Sequence, residues 1–396
     1  MMCLNQSFGI PLLMGLLVVL AGCSSAPPRI AVPESQQDQV VVEGIQQTIR
    51  YWGDAKPENL SEMIDANARV KKAQPDFKDK TSINYLALSG GGENGAFGAG
   101  LLAGWSERGT RPEFDIVTGV SIGALIAPFA FLGPEYDKEL EYLFTSMSMD
   151  ELIVSGFWET IAGFFGGPAI TDTTPLRTIV EQFFDEEVLE LIAAEHQKGR
   201  RLLIGTTNLD SERPVIWDMG ALASSGHPNS LMVFREVMLA SSAIPGMMPP
   251  VLFNVESEKG RFQELHVDGG VTSQVFIYPV DIDLSEYTEE NPFVRNLYII
   301  RNSEVKPQYQ ATDADVYALS VRSINTLIKN QGVGDLYKMK LISERDNYLY
   351  QLAYIGPDFK FNGEEQSGQA YMNHLYQYAF EQAKKGYPWR SSPGIK

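Results

Sequence analysis

Apolar positions along this chain follow two rhythms. Short runs of branched and aromatic residues read as buried strands: Ile83 to Leu88, Asp115 to Thr118, Arg201 to Thr206, Val215 to Asp218, Phe262 to Val267 and Val294 to Ile300. Between them apolar residues recur at helical spacing, over Ala96 to Glu107, Ala124 to Phe131, Leu176 to Phe184 and Asn229 to Ala240. Thr174-Pro175 has the form of an N-cap with Pro at the first helical position. Asp185 caps a further helix that ends near Lys198-Gly199. Ile244-Pro245 breaks the pattern, and from Asp313 onward it is mainly helical. Strands that alternate with helices predict an α/β fold whose central sheet is mostly parallel and covered on both faces.

Two stretches fall outside this alternation. Ile10 to Leu20 is an apolar run too short for a comfortable membrane span, and it suits a signal-peptide core. It ends in Leu20-Ala21-Gly22-Cys23, which resembles the bacterial lipoprotein box. That resemblance implies cleavage before Cys23, lipidation of Cys23 and a membrane-anchored protein. With Ser rather than Asp at position 24, the outer membrane is the expected destination. No Lys or Arg precedes the apolar run, which departs from the usual positive start, and an uncleaved anchor is the rival reading. Residues 1–22 are thus expected to be a signal peptide and 23–80 a tether, with a short amphipathic turn from Ile45 to Trp52; the folded body is expected from 81 to 396. The second stretch, 146–168, carries Met147, Met149, Phe157, Trp158, Phe164 and Phe165 between glycines, and suits either core packing or an adaptable acyl-binding wall.

Composition narrows the chemistry. With 44% hydrophobic and 21% charged residues the chain is globular rather than disordered. A formal net charge of -18 argues against nucleic acid and against broad attraction to anionic lipid, so membrane contact must come from apolar surface or a covalent anchor. The two cysteines, Cys3 and Cys23, leave the body without a disulfide or a thiolate metal site. His196, His227, His266 and His374 are scattered without metal-ligand spacing, and Asp313 with Asp315 reads as a solvated helix start. No metal or cofactor is expected.

Three motifs carry candidate chemistry. Gly119-x-Ser121-x-Gly123, between a strand and a helix, has the form of a nucleophile elbow. The Ser hydroxyl would stand at a helix N-terminus, where the dipole favours developing negative charge. Taken alone, the pattern is also an ordinary βα turn. The run Gly90 to Gly95 can aim successive amides at one anion. That anion is either a tetrahedral oxyanion or, since Gly90-x-Gly92-x-x-Gly95 also follows a strand, a dinucleotide pyrophosphate; the pattern does not decide. A pyrophosphate site needs an acidic residue about twenty positions on, and Asp115 stands near that distance but begins its strand. Asp268-Gly269-Gly270 closes a strand and is either a site carboxylate or a turn former.

The order of these motifs resembles the patatin-like phospholipase family. So do Asp172-Thr173-Thr174-Pro175-Leu176, Thr207-Asn208-Leu209, and Ala240-Ser241-Ser242-Ala243-Ile244-Pro245 leading to Pro249-Pro250; the likeness covers roughly 83–280. It implies a three-layer αβα patatin-like fold and hydrolysis of phospholipids or other lipid esters. It further implies a Ser–Asp dyad without histidine: Ser121 as nucleophile, Asp268 as base, and amides of Gly90, Gly91 and Gly92 as oxyanion hole. Where the family's glycine motif usually carries Arg or Lys, this chain has Asn94, which leaves the head-group preference open. A triad of the α/β-hydrolase order would need His374, which stands in a Tyr-rich helical stretch and reads as a surface or core residue. His266 either tunes the site or packs. The rival functions are a non-catalytic lipid-binding lipoprotein that keeps the fold and a dinucleotide-dependent oxidoreductase.

Overall fold

The computed structural model describes residues 29–45, 47–146, 174–245, 248–287, 293–309, 311–362 and 368–394. The expected signal peptide, Cys23 and the Met- and aromatic-rich stretch from 147 on lie outside the described residues. In chain order the elements are β1 (Val41–Val42), β2 (Arg50–Trp52), α1 (Leu60–Lys72), β3 (Ser82–Leu88), α2 (Gly95–Glu107), β4 (Ile116–Val120), α3 (Ile122–Leu132), α4 (Asp137–Thr145), α5 (Thr174–Phe183), α6 (Glu186–Gln197), β5 (Arg201–Asn208), β6 (Arg213–Asp218), α7 (Met219–Ala223), α8 (Ser230–Ser241), β7 (Val251–Ser257), β8 (Gly260–Asp268), β9 (Val294–Arg301), α9 (Val316–Arg345), β10 (Leu349–Tyr354) and α10 (Gly368–Gly386).

All the strands join one sheet. Its parallel centre runs β5-β4-β3-β9-β10, and β8, β7 and β1 extend it antiparallel, while β6 and then β2 line the other edge of β5. Side chains alternate across it as strand geometry requires. Leu86, Leu88 and Ile300 enter one apolar core with α2, α3, α4, α8 and α10; Ala87, Leu297 and Ile299 enter a second core under Leu336, Met339 and Ile342 of α9. The sheet therefore has helices on both faces, the α/β arrangement expected from the alternation of elements. Asp185 caps α6 by accepting the Val188 N–H at 3.0 Å, and Asp315 caps α9 by accepting the Ala318 N–H at 2.9 Å.

One expectation changes, and the structure adds features that the sequence pattern does not show. The described part of the expected tether is folded: Val41 pairs with Glu256, Arg50 pairs with Trp217, and Ile45 and Ile49 are buried. Strands of two or three residues are too short to show a period, so they read as loop. β7 and β10 were not anticipated either; β7 buries alternate residues, Phe253 and Val255, and β10 follows the long helix α9 in a stretch that reads as helical. The small residues of α2 serve a second helix as well as the sheet. A Cβ on Gly100 would stand 2.2 Å from the Tyr376 carbonyl oxygen, and one on Gly104 the same distance from that of Phe380, so bare backbone lets α2 cross α10 closely.

Candidate active site

Strand β5 brings the two ends of the site together. Its edge pairs first with β4, ending at Val120 opposite Gly205, and then with β8, ending at Asp268 opposite Thr206. Because β6 occupies the other edge over Leu203 to Asn208, β4 and β8 must lie on the same side, running towards each other. Ser121 follows Val120 directly, so it meets Asp268 where the two strands abut.

Ser121 sits at φ 55°, ψ -128°, a backbone state that costs a side-chain-bearing residue on the order of 1–3 kcal/mol. The surroundings enforce it. The Ser121 N–H donates to Ser241 Oγ at 3.0 Å, and that hydroxyl donates to the Gly205 carbonyl at 2.7 Å. The Ala124 N–H closes the turn on the Ser121 carbonyl at 2.8 Å. The flanking glycines leave no room for side chains: a Cβ on Gly119 would stand 2.4 Å from the Gly123 oxygen, and one on Gly123 2.5 Å from the Leu88 oxygen. Helix α3 carries no charge of its own, and its N-terminus lies at Ser121. Ser241 received no role in the sequence reading, although it lies in the Ala240-Ser241-Ser242 stretch; a serine there is ordinary until its hydroxyl is seen to brace the elbow.

The glycine run lies beside Ser121, and a Cβ on Gly90 would be 3.3 Å from that of Ser121. Of the three glycines expected to lend amides, Gly90 has none free: its N–H donates to the Gln274 carbonyl at 3.1 Å. The amides of Gly91 and Gly92 have no acceptor among the described residues. Asn302 supports the loop from below. Its N–H donates to Ser89 Oγ at 2.9 Å, its side-chain amide to the Ser89 carbonyl at 2.9 Å, and its Oδ1 accepts the Gly98 N–H at 3.0 Å. Asn94, at the position where a cation was looked for, accepts a hydrogen bond from Tyr371 at 2.7 Å. Asp115, the acidic residue a dinucleotide would need, stands at the N-terminal end of β4 while the glycine loop follows the C-terminal end of β3. It is engaged by Lys71 at 3.0 Å, Lys80 at 2.6 Å and the Asn84 N–H. Asp115 thus lies at the opposite end of the parallel strands β3 and β4 from the glycine loop.

Asp268 is 5% exposed and Ser121 8%. The Gly270 N–H donates to Asp268 Oδ1 at 2.6 Å, while among the described residues the buried Oδ2 has no partner at hydrogen-bonding geometry. Burial pushes the carboxyl pKa up to about 6, and the nearby Ser121 hydroxyl and the Gly270 amide offset that only in part. The Ser121 hydroxyl thus lies near enough to influence the carboxylate.

Two residues earlier on β8, His266 is fully buried in a different setting. Trp217 Nε1 donates to Thr206 Oγ1 at 2.8 Å, Thr206 Oγ1 lies 2.9 Å from His266 Nδ1, and His266 Nε2 lies 3.1 Å from Glu264, which Arg50 grips with both ends of its guanidinium. With Thr206 as donor to Nδ1, every donor in this chain meets an acceptor and the imidazole is neutral, as its burial favours. His374 is exposed on α10, bound to the Lys360 carbonyl at 3.0 Å and packed against Phe359 and Phe361; none of these partners belongs to the site.

Residues 86–281 match the family model of the patatin-like phospholipases. A patatin-like phospholipase domain-containing protein of Meyerozyma guilliermondii is 25% identical over 229 residues, which is 54% of this chain and 29% of that protein, so the chain spans less than a third of that relative's length. Among solved structures, VipD from Legionella pneumophila superposes with a TM-score of 0.37 at 12% identity, covering 78% of this chain and 67% of that one. ExoU of the Pseudomonas aeruginosa type III secretion system, solved with SpcU, superposes with a TM-score of 0.27 at 12% identity, covering 77% of this chain and 52% of the matched one.

Proposed function

Since the chain belongs to the patatin-like phospholipase family, we propose that it is a serine acyl hydrolase that cleaves phospholipids or other lipid esters through a dyad of Ser121 and Asp268. The observation that carries this reading is the meeting of a strained, braced serine with a buried carboxylate whose second oxygen has no hydrogen-bond partner among the described residues. A carboxyl with a pKa of about 6 is ionised at neutral pH, yet it is a stronger base than an exposed aspartate.

In the first half-reaction the Ser121 hydroxyl gives its proton to Asp268 as its oxygen bonds to the ester carbonyl carbon. The carbonyl oxygen becomes an oxyanion, held by the amides of Gly91 and Gly92 and favoured by the N-terminus of α3. Collapse breaks the ester C–O bond, and the leaving alcohol takes the proton from Asp268. In the second, water gives a proton to Asp268 and attacks the acyl-serine; collapse returns that proton to Ser121 and releases the fatty acid. Gly90 acts differently from its neighbours, since its amide fixes the loop rather than the oxyanion. Lipidation at Cys23, and with it an outer-membrane location, completes the proposal: an acidic protein would be held at a lipid surface by a covalent anchor rather than by charge.

The test is hydrolysis of short- and long-chain p-nitrophenyl esters and of phospholipid in mixed micelles by the full chain and by Ser121→Ala, Asp268→Asn and His374→Ala. Loss with the first two changes and retention with the third supports the dyad. Loss with His374→Ala would point to a triad, and an inert wild type would favour a lipid-binding protein that has kept the fold.

A further inference from the structure

We propose that Gln274 is a positioning residue that fastens the glycine loop to the turn carrying Asp268, with Arg301 and Asp335 holding Gln274 in place. The inference rests on the dyad reading above. Gln274 is buried four residues beyond Gly270, in none of the motifs read from the sequence. Its backbone carbonyl accepts the Gly90 N–H at 3.1 Å, which ties down the first glycine of the loop. Its side-chain Nε2 donates to the Gly270 carbonyl at 2.8 Å, and the N–H of that same Gly270 orients Asp268 at 2.6 Å. One residue therefore holds both the loop that would receive the oxyanion and the turn that aims the base.

Gln274 is held in turn from two other elements. Its backbone N–H donates to Asp335 Oδ2 on α9 at 2.7 Å, and Arg301 Nη1, at the end of β9, reaches its Oε1 at 3.5 Å. These partners fix which way the amide points. A guanidinium only donates and a backbone carbonyl only accepts, so Oε1 must face Arg301 and Nε2 must face Gly270. The guanidinium is admitted by a missing side chain on α9, where a Cβ on Gly332 would stand 2.4 Å from Arg301 Nη2. Oε1 and the Ser121 Cβ both lie close to Gly90, 3.4 and 3.3 Å from where a Cβ on that residue would stand. Arg301 and Asp335 meet Gln274 from β9 and α9, Lys338 pairs with Asp335 at 3.1 Å, and Asp268 and Gln274 share the Gly270 backbone as hydrogen-bond partner. Misplacement of a base by about 1 Å costs up to roughly a hundredfold in rate.

The experiment measures kcat, KM and the pH–rate profile of the full chain on a soluble ester, for wild type, Gln274→Met, Gln274→Glu and Arg301→Met, with Ser121→Ala as the blank. Rates are expressed per folded molecule. Gln274→Met keeps the volume and both backbone bonds but loses both side-chain bonds; kcat is expected to fall about ten- to a hundredfold with KM within about twofold. Gln274→Glu keeps an acceptor for Arg301 but sets a carboxylate against the Gly270 carbonyl and near Asp268, so the acid limb of the profile is expected to move to higher pH. Arg301→Met is expected to lower kcat by a smaller factor and to leave KM unchanged. If Gln274→Met does not fold, the other two variants carry the same test. A wild-type kcat in the folded variants, or a fall in kcat with an unmoved profile in Gln274→Glu, overturns the inference while leaving the dyad standing. An inert wild type overturns both.

Discussion

Strand β8 carries two buried carboxylates four residues apart, and they have opposite fates. Glu264 is 1% exposed and Asp268 is 5% exposed, so burial alone would raise both pKa values. At Glu264 burial is outweighed by the charge of Arg50 and by the His266 hydrogen bond, and its pKa falls to about 2. At Asp268 no cation among the described residues answers burial, and the pKa rises to about 6. The first carboxylate is part of a closed chain of partners that ties β2 into the core; the second keeps one oxygen without a hydrogen-bond partner among the described residues. What separates the structural acid from the proposed catalytic one is the supply of partners, which burial does not reveal. The neutral His266 belongs to the structural set, although it stands closer in sequence to Asp268 than any other histidine.

Breaking the chemical end should have the largest effect. Ser121→Ala is expected to lower ester hydrolysis by at least about ten-thousandfold, measured as initial rates, since a nucleophile has no substitute in the site. Asp268→Asn should lower the rate by about a thousandfold or more and, unlike most core changes, should raise the melting temperature. It removes a charge whose burial costs roughly 3 kcal/mol, the equivalent of a shift from 3.8 to about 6. Breaking the structural end should do the reverse. Arg50→Ala leaves the Glu264 charge buried without its cation and is expected to cost about 3–5 kcal/mol in urea unfolding, while the folded fraction keeps near-normal turnover.

Titration sharpens the same contrast. Activity should rise with pH through about 6 as Asp268 loses its proton, with the limb absent in any residual activity of Asp268→Asn. Stability should respond to the two groups in opposite senses. The folded-state pKa of Asp268 is raised, so its contribution is greatest below about 4 and declines as pH rises to about 6. That of Glu264 is depressed, so its contribution is present above about 4.5 and is lost as pH falls towards about 2. The smallest effect is expected from His374→Ala: turnover within about twofold of wild type, because its contacts are a carbonyl and two rings away from the site.

Much of the fold was legible because long buried elements advertise their period. Strands β3, β5 and β9 and helices α2, α3 and α8 lie within a residue or two of where branched runs and helical spacing placed them. β1 and β2 were not legible, because two or three residues carry no period and their stability comes from partners about two hundred residues away, Glu256 and Trp217. The site divides the same way. Ser121 and Asp268 stand out in sequence by their glycines, because tight turns demand glycine locally. Ser241, Asn302, Gln274 and Arg301 have no such local signature, since what singles them out is a partner in another element.

The sequence by itself determined the elbow around Ser121, the glycine loop, the closing turn at Asp268 and the α/β order of the elements, since each is written in spacing that backbone sterics and burial enforce over a few residues. Tertiary structure alone decided that β4 and β8 meet end to end on β5, that the amide of Gly90 is bound while those of Gly91 and Gly92 have no acceptor among the described residues, and that Glu264 has a cation for a partner while Asp268 has none among those residues. Those outcomes depend on hydrogen bonds and charges brought together from distant parts of the chain, and no local pattern records them.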